Sequence, residues 1–286
     1  MEKQLEGLKE YLSQKKEEIK DKKNTKFISV ASGKGGVGKT NFTVNFAYVL
    51  ANIFNKKVLL IDADIGLGNV HILLRLPLVK SLKEVLNGKS LEDNIVNIKN
   101  FDVLPGFSGF EKLSEIESAN IDKLIDQIEK VSKNYDYVLI DTSAGITDEV
   151  VNFIRSSDKS FIITTPEPTA ITDAYALIKT MIKIYNYSDF DIVVNMCKSR
   201  EEGIEVFEKI NNSSVKFLET NLRFAGFLPF SEELRRSVLE RKLITENFPK
   251  NNYTKYLIEI VKEELNIPSE KKEDSFWGKF LSFFKK

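Results

Sequence analysis

The chain has 286 residues, 42% hydrophobic and 29% charged, an ordinary composition for a water-soluble α/β protein of one large domain or two small ones. Its 42 basic and 42 acidic residues cancel, so no global basic field marks a nucleic-acid binder. One cysteine, Cys197, excludes an internal disulfide and argues against iron–sulfur or structural zinc sites, and one histidine, His71, leaves little to hold a transition metal.

In chain order, residues 1–24 come first. Leu5, Leu8, Leu12 and Ile19 fall at helical spacing among Lys and Glu, which reads as a short amphipathic helix and solvated tether, or as a disordered tail. The segment lacks the apolar core of a signal peptide, and no apolar run approaches a membrane span of ~20 residues, so a cytoplasmic location is expected. From Lys26 short β-branched runs alternate with helical patterns. The expected strands are KFISV, KVLLID, FDVLP, YVLIDT, SFIITT, DIVVNM and FAGFLPF. The helical stretches include NFTVNFAYVLANIF, IDKLIDQIEKVS, DEVVNFI and ITDAYALIKTMIKIY, with EELRRSVLERK and NNYTKYLIEIVKEELN closing the series. Most strands are continuous apolar runs. That predicts an α/β fold, a mostly parallel sheet with helices on both faces, in one domain over residues 25–268. Residues 269–286 then form a polar linker and an aromatic tail.

Gly33, Lys34, Gly35, Gly36, Val37, Gly38, Lys39 and Thr40 match G-x-x-x-x-G-K-[ST], between a strand and a helix as that pattern requires. Glycines let successive backbone N–H groups approach phosphate oxygens, and the helix N-terminus adds its dipole. Lys39 is expected at the β- and γ-phosphates of a nucleotide, Thr40 at Mg²⁺, and Asn41 at the end of the same loop. Mg²⁺ and an attacking water need oxygen ligands at strand ends. VLLIDADIGLGN ends a strand with Asp62 and Asp64, and YVLIDTSAGI ends another with Asp141, the expected Walker B carboxylate. An acidic residue after a strand can also simply cap the next helix.

The loop carries a second lysine, Lys34, that the P-loop pattern leaves unexplained. KGGVGKT resembles the deviant Walker A motif of the MinD/ParA family of ATPases. The resemblance implies that Lys34 reaches phosphates on a partner subunit of an ATP-dependent homodimer, that Asp62 lies near Mg²⁺, and that Asp64 orients the attacking water. It implies further that Asn195 contacts adenine, which suits an amide's donor and acceptor, and that Pro229 and Phe230 close over the base. The motif is shared with arsenical-pump ATPases, nitrogenase iron proteins and Fe–S cluster carriers. TTPEPTAITDAYALIK, DADIGLGNVHILL and DTSAGI, together with the two dozen residues before the loop, resemble the FlhG (FleN/YlxH) group of flagellar-number regulators over about residues 26–245. In that group an N-terminal DQAxxLR motif stimulates an FlhF-type GTPase. Here KQLEGLK keeps Gln4 and Leu8 and replaces Arg by Lys9, which lacks the bidentate fork.

The tail SFWGKFLSFFKK places Phe276, Trp277, Phe280, Leu281, Phe283 and Phe284 within an arc of roughly 160° on a helical wheel, with lysines opposite. That pattern suits a helix over residues 275–286 lying in a membrane interface, or aromatics packed on the protein's own surface. The expected function is an ATPase switch: dimeric and on the inner face of the cell membrane with ATP, regulating flagellar number or placement, with no specific nucleic-acid partner. A MinD-like division-site regulator and a ParA-type partition ATPase are the alternatives.

Overall fold

The structure, a computed structural model, describes residues 25–64, 69–76, 85, 90–106, 126–266, 276 and 280. The expectations for residues 1–24 lie outside the described residues, and of the tail only Phe276 and Phe280 are described. The strands are β1 (Lys26–Ser32), β2 (Val58–Ala63), β3 (Val96–Ile98), β4 (Phe101–Leu104), β5 (Tyr137–Ala144), β6 (Lys159–Thr164), β7 (Phe190–Cys197) and β8 (Arg223–Pro229). They form one sheet in the order β3-β4-β2-β5-β1-β6-β7-β8. All pairs are parallel except β3–β4. Among the described residues the helices with both ends placed are α1 (Lys39–Asn52), α2 (Val70–Leu74), α3 (Leu91–Asn94), α4 (Asp148–Ser156), α5 (Pro168–Tyr185), α6 (Arg200–Leu218), α7 (Glu232–Leu239), α8 (Ile244–Asn247) and α9 (Asn252–Asn266), and residues 126–132 are also helical.

Every residue of β2 and β6 is buried, which is why their sequences read as continuous apolar runs. Alternate side chains of β1 serve opposite faces. Ile28 and Val30 join Phe42, Phe46 and Leu50 of α1 and Tyr253, Leu257 and Val261 of α9 in one core. Phe27 and Ala31 enter the cores on the other face, Ala31 among side chains of α4, α5 and α6. Strand β3 and helices α2, α3, α6 and α8 are not among the elements expected from the sequence. Strand β3 is three residues long and pairs antiparallel with β4 across Lys99 and Asn100, whose φ values of 50° and 67° are those of a type I′ hairpin turn. Helix α6 is polar over most of its length and buries only a narrow row including Val206, Ile210 and Leu218.

The two described tail residues face inward. The Phe276 ring stacks on Phe27 of β1 (centroids 4.4 Å apart), and the Phe280 ring on Phe153 of α4 (4.5 Å). Both are buried beside Leu59, Val138 and Ile140.

A phosphate cleft at the carboxyl ends of the strands

Strand β1 sits between β5 and β6, so the loop leaving it lies over the middle of the sheet, where ligands of open parallel sheets bind. The chain turns there through Gly36 (φ 81°) and Gly38 (φ 88°), the latter serving as N-cap of α1. A side chain at Gly38 would overlap the Asn195 amide, and one at Gly33 the Asp173 backbone of α5. Two glycines of the motif are therefore required by packing, and Gly33 ties the loop to the segment TTPEPTAITDAYALIK.

Beneath the loop, Asp62 and Asp141 are in-register neighbours on β2 and β5, both without solvent exposure. Asp141 accepts hydrogen bonds from Lys39 Nζ (2.9 Å), Thr40 Oγ1 (2.7 Å) and Thr43 Oγ1 (3.0 Å). A buried lysine is tolerable only with such a partner. Asp62 accepts from the backbone N–H groups of Asp64 (3.2 Å) and Val70 (3.3 Å). Burial, with the neighbouring Asp141 charge, pushes its carboxyl up to about 7. Asp64 stands at the rim, its carboxyl raised by partial burial and held back by Lys39.

A cleft of about 410 Å³ opens above these groups. Lys34, Gly35, Gly36, Val37, Gly38, Lys39, Thr40, Asn41 and Asp64 line it, so the structure brings together most of the residues expected at the phosphates. The donor set fits Mg²⁺: a threonine hydroxyl and carboxylates, all hard oxygens. Among the described residues no cluster of three or more His, Cys, Asp or Glu could hold a metal by itself. That is compatible with Mg²⁺, which is commonly held by one or two carboxylates together with phosphate and water. Thr40, Asp141 and Asp62 are the side chains that would hold it, and its charge would offset that on the phosphates. Lys39 would bind the phosphates, and Asp64 lines the rim of the cleft.

Lys34 does not turn to Asp141. Its ammonium pairs with Glu167 Oε1 (2.8 Å) and bonds Thr169 Oγ1 (2.6 Å) at the start of α5, and this lowers the Glu167 carboxyl. The pair is solvent-exposed, so it is readily exchanged for another partner.

The residues expected at the base are placed differently. Asn195 is fully buried, donating to the Val37 carbonyl (2.8 Å) and accepting from the Met196 N–H (2.9 Å). It braces the loop from beneath and presents no free edge to the cleft. Pro229 ends β8 beside Cys197, and Phe230 donates its N–H to the Cys197 carbonyl, yet neither lines the cleft. The wall is instead made by Met196, Ile72, Leu73, Val238 and Arg241. The sequence carried no signal for Val238 or Arg241, because their place depends on how α7 docks. Met196 adjoins Asn195, so an expectation at the end of β7 came within one residue.

Comparison with known proteins agrees with this fold. The AAA domain family matches residues 25–194. The chain is 36% identical to the antiactivator FleN of Pseudomonas aeruginosa over 78% of its own length and 80% of that protein's. It is 37% identical to the flagellum site-determining protein YlxH of Helicobacter pylori, over 84% and 82%. To the septum site-determining protein MinD of Thermotoga maritima it is 34% identical, over 72% and 76%. Among solved structures, the MinC:MinD cell division protein complex of Aquifex aeolicus superposes with a TM-score of 0.69 at 28% identity, covering 88% of this chain and all of that one. The chain belongs to the AAA domain family, in its MinD/ParA branch of P-loop proteins. It is an ATPase, and its relatives include the FleN and YlxH proteins.

Proposed function

We propose that this ATPase is a dimerising switch that controls the number or placement of flagella and acts at the inner face of the cell membrane. The carrying observation is Lys34. The cleft is served by Lys39 from within the chain, while Lys34, also lining it, is held by an exposed ion pair with Glu167. Exchange of Glu167 for the phosphates of a second chain would complete two sites at once. Apolar side chains left exposed at or beside the cleft, Ile72, Ile146 and Leu239, support a face that a second copy covers. The likeness to FleN and YlxH, which exceeds that to MinD in identity and coverage, supports the flagellar output.

In this scheme Thr40, Asp62 and Asp141 hold Mg²⁺, Lys39 and Lys34 neutralise charge developing on the phosphates, and Asp64 orients the water. Gly33 to Asn41 cradle the nucleotide, while Pro229 and Phe230, which lie off the cleft in this structure, would have to move to close over the base. For Asn195 to contact adenine, its bond to Val37 must open. Segment 1–24 is the proposed contact for an FlhF-type GTPase.

Membrane association is assigned to residues 275–286. Among the described residues no helix is long and apolar enough to cross a membrane. Phe276 and Phe280 are buried against the body, so membrane contact requires their release. Burying one Phe is worth about 1.5–3 kcal/mol in either place, so the two positions are nearly balanced and ATP-driven dimerisation could tip them. The test is sedimentation with anionic liposomes. Mg-ATP is expected to raise both dimer fraction and liposome binding, and deleting residues 275–286 to abolish the latter. Liposome binding indifferent to nucleotide would refute the switch. Lys34→Ala is expected to lose ATP hydrolysis, and Asp64→Ala to dimerise with ATP but hydrolyse poorly; wild-type turnover by Lys34→Ala would end the role in trans. A division-site regulator is the second reading, supported by the fold shared with MinD. Rescue of a flagellar-number defect, and not of a division defect, would separate the two.

A further inference from the structure

We propose that Arg241 is a nucleobase-contacting residue, its guanidinium closing the base end of the cleft opposite Met196. The inference rests on the nucleotide reading of that cleft.

Helix α7 starts at Ser231, whose hydroxyl accepts from the Leu234 N–H, and ends in a Schellman turn in which the Lys242 N–H bonds the Ser237 carbonyl (2.8 Å). The residue after the cap of such a turn is left-handed and usually glycine. Here it is Arg241, with φ 52°. Among the described residues several other non-glycines are left-handed, but of these only Met196, with φ 60°, also lines the cleft. Met196 gets there because the β7–β8 register shifts between Val194 and Cys197, which turns its side chain outward to 37% exposure. Two large side chains held in a backbone conformation that L-residues disfavour thus meet at one site. Strain of this kind concentrates where a side chain is needed.

The surroundings show what the arginine is free to do. Its neighbours are engaged: Glu240 pairs with Arg236 and Lys242, and the Glu240 carbonyl accepts from Arg75 at the end of α2 (2.8 Å). Among the described residues, no ion pair or side-chain hydrogen bond engages the Arg241 guanidinium. The Arg75 bond holds α2 against the end of α7, so Ile72 and Val238 continue the same wall. With Met196 that wall is apolar. Apolar side chains do nothing for phosphates, which the loop amides and Lys39 already serve at the other end. They suit a flat heterocycle, and a planar guanidinium stacks on such a ring.

The test is calorimetric titration of the full chain with Mg-ADP and with Mg-tripolyphosphate, alongside thermal melting. Arg241→Gly keeps the left-handed turn and removes only the side chain. It is expected to bind Mg-ADP about tenfold more weakly than wild type, to bind tripolyphosphate equally well, and to melt no lower. Met196→Gly is expected to act in the same direction. If wild type binds Mg-ADP and Arg241→Gly binds it as tightly, the inference fails while the nucleotide reading stands. If wild type itself does not bind, the nucleotide reading fails first. An equal loss for tripolyphosphate would place the guanidinium on phosphate and overturn the base assignment. A lowered melting temperature would make the arginine a structural cap.

Discussion

The two ends of the sheet both bury charge, for opposite reasons. At the carboxyl ends, Lys39 and Asp141 pair beneath a cleft, next to Asp62 and Asp64, so carboxylates outnumber the buried lysine. At the amino ends, Lys26 pairs with Glu264 (2.5 Å), and Asp191 lies between Lys159 (2.6 Å) and Arg223 (2.5 Å). There every named charge has a partner within the protein: Lys26–Glu264 ties β1 to α9, and Asp191 ties β7 to β6 and β8. A parallel sheet aligns all its strand ends, so unlike groups collect at each edge. One edge closes on itself, and the other is left with a charge pattern that a ligand completes.

Mutation should separate the two. Lys39→Ala is expected to give the largest effect: loss of ATP hydrolysis by at least about 100-fold, measured as phosphate release. It also leaves Asp141 without its buried partner, at a cost of about 3 kcal/mol in denaturant melts. Lys159→Ala should cost about 2–4 kcal/mol of stability while leaving turnover per folded molecule unchanged. If Lys159→Ala abolished hydrolysis in a folded protein, the two edges would not be independent.

Gly38→Ala sharpens the contrast at the loop. A methyl group there meets the Asn195 amide at a φ of 88°, so Mg-ADP affinity should fall by about tenfold or more, read by calorimetry, with some loss of stability. Cys197 lies in the packed interior beside the cleft, where burial pushes its thiol up to about 12. Alkylation by iodoacetamide at pH 8 should be negligible in the native protein and rapid in denaturant. The thiolate fraction should rise about tenfold per pH unit below that value. The smallest effect belongs to Glu167→Gln. The exposed pair with Lys34 should contribute little, and the melting temperature should move by no more than about 2 °C. A large drop would mean that Lys34 is fixed in place and not exchangeable.

The sequence alone determined the parts that depend on local rules. Continuous apolar strands announced a sheet covered on both faces. The glycine spacing with Lys39 and Thr40 announced a phosphate loop, and Asp62, Asp64 and Asp141 stood at strand ends where such a loop must find its oxygens. These follow from side-chain alternation, from backbone freedom at glycine, and from the shared direction of parallel strands. Tertiary structure decided the rest, because it depends on contacts between residues distant along the chain. Asn195, expected at adenine, spends its amide on the Val37 carbonyl of the loop. Lys34 rests on Glu167, 133 residues away. The aromatic tail, legible as amphipathic, has two of its rings folded against Phe27 and Phe153. Arg241 reaches the cleft only through the docking of α7 against α2. A helical wheel shows that a face is apolar, but what covers that face is settled by packing among surfaces that only the fold brings together.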